Sequence, residues 1–242
     1  MKYSILVASR RDSPFLERFL RAYEKYTEHP ENSELLLMYN AHEKKNLDVI
    51  KEFEDKGLLK GFTEDLRLGR SGLHVYFNEL LKHAKGDWIW YLCEDHDFIK
   101  PWDSFIDEFL AKRSVNPATE IDPKKVNCLV PLYNNIGAVS HILSRGWVNV
   151  TGHIGGHGNI DSWLGFIARS INQGRVHLLS LVGDSDKDAL MTDHTHNREE
   201  IEKVADQMVS VVPENVTAWQ DPGVQDALCK ELELVREAIR ND

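Results

Sequence analysis

Gly86-Asp87-Trp88-Ile89-Trp90-Tyr91-Leu92-Cys93-Glu94-Asp95-His96-Asp97 changes character abruptly along its length. A turn residue and an acid lead into an unbroken apolar run from Trp88 to Cys93, and three carboxylates and an imidazole follow. An apolar run that short, with turn signals at one end and acids at the other, reads as a strand buried on both faces. Ligands of an open α/β sheet collect just beyond the carboxyl ends of such strands. Acids crowded there repel one another unless a cation sits among them, and hard divalent cations prefer oxygen ligands. The other reading is an acidic loop on the surface of an acidic protein, and the flanking sequence has to decide.

Toward the N-terminus the chain alternates. Residues 3–8 read as a strand, followed by a loop through Ser13-Pro14 and a helix with Phe15, Phe19, Ala22, Tyr23 and Tyr26 at helical spacing. Residues 35–39 form a second strand ending at Asn40. A helix over about 44–55 follows, then a short strand near 58–62. A helix over about 73–83 closes at Lys85-Gly86, expected as its C-cap, and delivers the chain into the apolar run. This order predicts a parallel sheet built from right-handed crossovers.

Beyond Asp97, a helix is expected from Pro101 to about residue 110, a polar excursion over 113–125, and a strand over 126–132. The glycine-rich stretch 146–159, around Trp147, His153 and His157, reads as a mobile loop over a site. A helix over 160–171 and a strand over 175–182 follow. Residues 184–196, rich in acids and histidines, read as irregular. From residue 197 the chain becomes acidic and amphipathic, with helices over about 197–212 and 224–239.

The composition is that of an ordinary globular protein: 242 residues, 42% hydrophobic and 28% charged. A formal charge of −10 excludes a nucleic-acid partner held through phosphate contacts, but not a nucleotide held by a few local groups. The three cysteines, Cys93, Cys128 and Cys229, lie far apart without metal-ligand spacing, so reduced thiols and a cytoplasmic setting are expected. The N-terminal apolar run is short for a signal peptide, and no run approaches the roughly 18 residues of a membrane span.

Three features fall in a telling order. A first strand ends in Ala8-Ser9-Arg10. Arg70-Ser71-Gly72 is followed by Asn78 and by Ala84-Lys85-Gly86-Asp87, which leads into the acid-tipped strand. Asp161 then opens the helix Asp161-Ser162-Trp163-Leu164-Gly165-Phe166-Ile167-Ala168-Arg169 behind the glycine-rich stretch. Over about residues 3–196 this resembles the GT-A glycosyltransferases, in particular the large inverting group called family 2.

The resemblance implies an α/β fold, a Rossmann-like mixed sheet flanked by helices. Its catalytic domain would span 1–196, with a nucleotide-binding half to about 100 and an acceptor half from about 101; a helical C-terminal extension would occupy 197–242. It implies a metal-dependent transfer of a sugar from a nucleotide-diphosphate sugar (a UDP- or GDP-sugar) to an unidentified hydroxyl acceptor, with inversion. Asp161 would be the base. Ala8, Ser9 and Arg10 would contact base and ribose, and Arg70 the diphosphate. Asn40 stands where the family often has a base-reading Asp. Cys93 stands at the family's first motif Asp when counted from Asn78, whereas Asp95-His96-Asp97 restores Asp-x-Asp two residues on. Glu94 and Asp95 would contact the donor, and Asp95, Asp97 and His194 would hold Mn²⁺ or Mg²⁺.

Each of these residues has a plainer reading. Asp161 could only cap its helix, His194 and His196 could be a solvated pair, and His153 and His157 could merely decorate their loop. Trp147 and Trp163 could stack on a sugar or fill the core. A retaining transferase, a nucleotidyltransferase and a non-catalytic binding protein with a degenerate site also stay open. The apolar positions of the two tail helices (Ile201, Val204, Met208, Val211; Leu228, Leu232, Val235, Ile239) need a surface to cover them, either a second copy of the chain or its own core.

Overall fold

The computed structural model of the protein describes residues 1–9, 12–64, 72–115, 120–132, 140–157, 160–171, 174–180, 189–193 and 221–242. In chain order the elements are β1 (Tyr3–Ala8), α1 (Leu16–Tyr26), β2 (Ser33–Asn40), α2 (Leu47–Asp55), β3 (Lys60–Glu64), α3 (Leu73–Leu81), β4 (Trp88–Cys93), β5 (His96–Phe98) and α4 (Trp102–Ser114). There follow β6 (Cys128–Val130), β7 (Ile142–Ser144), α5 (Arg145–Thr151), α6 (Ile160–Ile171), β8 (Val176–Leu178), β9 (Met191–Asp193) and α7 (Pro222–Asn241). The main sheet has the order β3-β2-β1-β4-β7-β6-β8.

The first half is parallel, as the alternation predicts: β1 lies between β2 and β4, with Ala8 level with both Met38 and Cys93. The second half is not, since β7 runs antiparallel to β4 and β6. The sheet is therefore mixed. The acids after β4 do not simply form a loop. His96–Phe98 pairs antiparallel with Met191–Asp193, which gives strand structure to part of a stretch expected to be irregular.

The apolar run of β4 is buried on both faces. Trp88, Trp90 and Leu92 join Tyr3, Ile5 and Val7 in a core under α1, α2 and α4. Ile89 and Tyr91 join Leu6 and Ala8 in a second core with residues of α3, α5, α6 and α7. The first core is an aromatic stack: Trp90 meets Trp102 and Phe98 edge-on at centroid separations of 5.9 and 5.5 Å, and Tyr3 meets Trp102 at 5.3 Å. Such edge-on pairs add roughly 0.5–1.5 kcal/mol beyond area burial.

Two glycines serve a purpose other than the expected one. Gly86 is not a left-handed C-cap; a Cβ there would lie 2.5 Å from the Ser4 amide nitrogen, so glycine lets the chain cross against β1. The crossing is tied down by Ser4 Oγ, which accepts from the Gly86 amide (2.7 Å) and donates to Glu34 (2.6 Å). Gly146, expected in a mobile loop, lies in the first turn of α5, where a Cβ would fall 2.3 Å from the Lys124 carbonyl oxygen. Ser144 caps that helix by accepting from the Trp147 amide at 3.1 Å. Residues 152–157 then continue as bends and irregular chain, held by Asn78, which accepts from the Ile154 amide (2.9 Å) and donates to the Gly155 carbonyl (3.1 Å).

Trp147 and Trp163, considered for sugar stacking, are 0% and 2% exposed and belong to the second core. That core is closed by α7. Asp221 caps this helix by accepting from the Gly223 amide at 2.7 Å, and Leu228, Leu232 and Val235 are buried against the rest of the chain. The stripe of the last helix thus covers its own core. The preceding expected helix, 197–212, lies outside the described residues.

Candidate functional site

The carboxyl ends of β1, β2 and β4 lie side by side and define one edge of the sheet. At this edge Ala8 is buried and Ser9 is half-buried, its amide donating to the Met38 carbonyl at 2.9 Å. Asn40, at the end of β2, has its side-chain oxygen occupied by the His42 amide at 2.8 Å. Arg10, Arg70 and His194 lie outside the described residues.

The sequence did not point to the device that shapes the floor of this edge. Glu43, 3% exposed, accepts from the amides of Asp12 (2.6 Å), Lys44 (3.1 Å) and Asn46 (3.0 Å). Asp12, at φ 53°, accepts in return from the amides of Lys44 and Lys45 at 3.1 and 3.0 Å. A buried carboxylate satisfied by backbone amides is a strong tie, and it locks the loop after β1 to the loop after β2.

The acidic motif separates into residues with different surroundings. Glu94 is buried and Cys93 partly exposed. Asp95 has a buried Oδ1 with no hydrogen-bond partner among the described residues, and His96 Nδ1 lies 3.7 Å from it. Asp97 lies in β5 and turns toward α1, where its Oδ2 is 2.8 Å from Arg18 Nε. It lines a groove of about 360 Å³ with Arg18, Arg21 and Lys25. Asp97 thus already meets a cation on α1. Among the described residues no three His, Cys, Asp or Glu side chains converge as a metal site. Asp95 fits a cation, because its buried Oδ1 has no donor among the described residues.

Asp161 stands exposed in the first turn of α6, where the helix dipole favours an anion. Its Oδ1 accepts from the Tyr91 hydroxyl at 2.9 Å, and the same hydroxyl lies 3.3 Å from His141 Nδ1. Tyr91 belongs to β4, so the base candidate is tethered to the strand that leads to Asp95, four residues beyond Tyr91. That is at most about 14 Å of chain. His141 is 6% exposed, and burial together with the Arg169 charge pulls its pKa down to about 4.

No protein-family model matches this chain, and no curated protein matches it. Among solved structures it is similar to S. aureus TarS 1-349, with a TM-score of 0.58 and 14% identity over 84% of this chain and 63% of that one. The complex of TarS 1-349 with UDP-GlcNAc gives 0.59 and 13%, over 79% and 58%. The mannosyltransferase PcManGT from Pyrobaculum calidifontis, in complex with GDP-Man and Mn²⁺, gives 0.57 and 12%, over 97% and 69%. The fold is GT-A. The chain spans about 63% of the length of TarS 1-349.

Within this GT-A sheet, Ala8, Ser9, Asn40 and Asp95 come together at one edge, Asp161 reaches toward β4 through Tyr91, and Asp97 faces away toward α1. Tyr91, His141, Glu43 and Asn46 were not singled out from sequence. For Tyr91 a signal existed: a tyrosine in a strand buried on both faces needs a partner for its hydroxyl. For His141 the partner comes from a distant segment, and Glu43 joins the local amides of Lys44 and Asn46 to the distant one of Asp12.

Among the described residues no helix is long and apolar enough to cross a membrane.

Proposed function

We propose that the protein is a glycosyltransferase that moves a sugar from a nucleoside-diphosphate sugar to a hydroxyl acceptor with inversion. The observation that carries this reading is the tether between Asp161 and β4, which sets a carboxylate at a helix N-terminus beside the strand that leads to Asp95. The GT-A neighbours crystallised with UDP-GlcNAc and with GDP-Man support a UDP- or GDP-sugar donor. Ala8, Ser9 and Asn40, with Arg10 and Arg70, are the proposed nucleotide contacts.

In the proposed step the acceptor oxygen attacks the anomeric carbon. The bond from that carbon to the diphosphate oxygen breaks, its electron pair leaves with the nucleoside diphosphate, and the acceptor proton passes to Asp161. Mn²⁺ or Mg²⁺ held by Asp95, with Glu94 beside it and His194 as a proposed further ligand, would offset the charge of the departing diphosphate. Asp97 is left out of this set, because Arg18 already balances it. Residues 1–196 form the proposed catalytic unit and 197–242 its helical extension, of which α7 is packed on the second core.

The test is release of nucleoside diphosphate from UDP-GlcNAc, UDP-glucose and GDP-mannose with Mn²⁺ or Mg²⁺. A base of this kind contributes about 10² to 10⁴ in rate, so Asp161→Asn is expected to lose that much while still binding donor. Wild-type turnover by Asp161→Asn would overturn the assignment. NMR of the product's anomeric configuration separates inversion from retention.

A further inference from the structure

Asp161 is exposed, and an exposed carboxylate on the first turn of a helix is ordinarily free to rotate. Here one oxygen is fixed by a residue rooted in β4, a strand covered on both faces. Tyr91 is 4% exposed, and its ring packs edge-on against Phe77 at a centroid separation of 5.6 Å. Its hydroxyl has one proton to give. An ionised carboxylate can only accept, so the contact to Asp161 Oδ1 at 2.9 Å uses that proton. The 3.3 Å contact with His141 Nδ1 must then run the other way, with the imidazole donating to the tyrosine oxygen. This fixes the His141 tautomer with its proton on Nδ1. Burial and the neighbouring Arg169 keep the ring uncharged at neutral pH, and an uncharged ring has only one N–H to offer.

We propose that Tyr91 and His141 are positioning residues for Asp161: a directed chain from His141 Nδ1–H to the Tyr91 hydroxyl and on to Asp161 Oδ1 holds the carboxylate in one orientation and favours its ionised form. The proposal rests on the reading of Asp161 as the base. The chain turns one carboxylate oxygen toward the strand and so settles where the other can meet an acceptor hydroxyl. A hydrogen bond to the charged form stabilises it against protonation, and a donor already polarised by a second donor does so more strongly. Tyr91 from β4 faces Asp161, and behind it stands His141 from the segment entering β7. Arg169, on α6 itself, acts on His141.

The proposal can be tested without the acceptor. Protein carrying ¹³C-carboxyl aspartate is titrated by NMR, and the difference from Asp161→Asn identifies the Asp161 signal. Tyr91→Phe, which keeps the ring, is expected to raise the Asp161 midpoint by about one pH unit. His141→Leu is expected to raise it less. His141→Asn, which puts an amide donor where Nδ1–H stood, should restore the wild-type midpoint. In nucleoside-diphosphate release from UDP-GlcNAc or GDP-mannose, Tyr91→Phe should lower kcat about tenfold with KM unchanged and move the acidic limb of the pH profile upward.

An unchanged midpoint and kcat in Tyr91→Phe, with Asp161→Asn still inactive, would overturn the positioning chain and leave the base assignment standing. Full turnover by Asp161→Asn would remove the base assignment instead, whatever the midpoints do. Equal midpoints in His141→Leu and His141→Asn would remove His141 from the chain.

Discussion

The two faces of the sheet bury polar groups under different terms. Under α1, α2 and α4, the buried acids are balanced: Asp103 accepts from the Glu28 and His29 amides at 3.2 and 2.7 Å, and Asp97 is paired with Arg18. Around them stands the aromatic stack of Trp90, Phe98 and Trp102. On the other face Glu231 Oε1, His153 Nδ1 and Trp147 Nε1 are buried with no hydrogen-bond partner among the described residues. Burying a polar group without a partner costs on the order of 1–3 kcal/mol. The face that carries Asp161, Tyr91 and His141 thus gathers several such atoms beside α5 and α7. The first face holds the aromatic stack, and the second carries the proposed base Asp161.

Truncating the aromatic stack should break this contrast most severely. Trp102→Ala is expected to cost about 3–5 kcal/mol in stability, read as a lowered melting temperature, because it empties the centre of the stack. The same protein, where still folded, should keep its donor binding. A mild loss would mean that the stack is not the stabilising face.

Arg18 supplies a sharper comparison within the acidic motif. Arg18→Ala leaves Asp97 buried without its partner and is expected to cost about 3 kcal/mol in stability with little change in metal-dependent donor binding. Asp95→Ala should do the reverse, leaving stability nearly unchanged while abolishing the metal-dependent part of donor binding. If both variants affect metal dependence equally, the two acids belong to one site after all.

The smallest effect expected is on Glu231 of α7, whose Oε2 accepts from Trp163 Nε1 at 2.6 Å. Burial raises its pKa from 4.5 to about 7, against the lowering effect of that hydrogen bond. A carboxyl with a raised folded-state pKa contributes stability below its unfolded value and loses it as pH rises through the folded one. The wild type should therefore lose stability between pH 4.5 and pH 7. Glu231→Gln should flatten that slope and match or exceed the wild type at pH 8. Equal slopes in melts across this range would show that the carboxyl is not held neutral.

Much of this architecture could be read from residue order. The run from Trp88 to Cys93 is short, continuously apolar and bounded by turn residues and acids, which points to a strand covered on both faces. The first half of the sheet follows from short connections between strand and helix patterns. Other features depend on contacts that local patterns do not contain. Helix α5 was read as loop because Gly146 and its β-branched neighbours are weak helix formers, and it exists through the Ser144 cap and the burial of Trp147. The pairing of β5 with β9 joins residues nearly a hundred positions apart. Within the site, Asp161 and Asp95 were legible as acids at element ends. The ion pair of Asp97 was not, because its partner is an arginine on α1.

The most direct test is a thermal-shift measurement with UDP and GDP, each with and without Mn²⁺, on the wild type and Asp95→Ala. A nucleotide at about 100 times its dissociation constant should add about 2.7 kcal/mol of stability to the wild type. The account predicts that one nucleotide does so only with metal, and that Asp95→Ala loses this increment. No shift with either nucleotide, or an equal metal-dependent shift in Asp95→Ala, would contradict it.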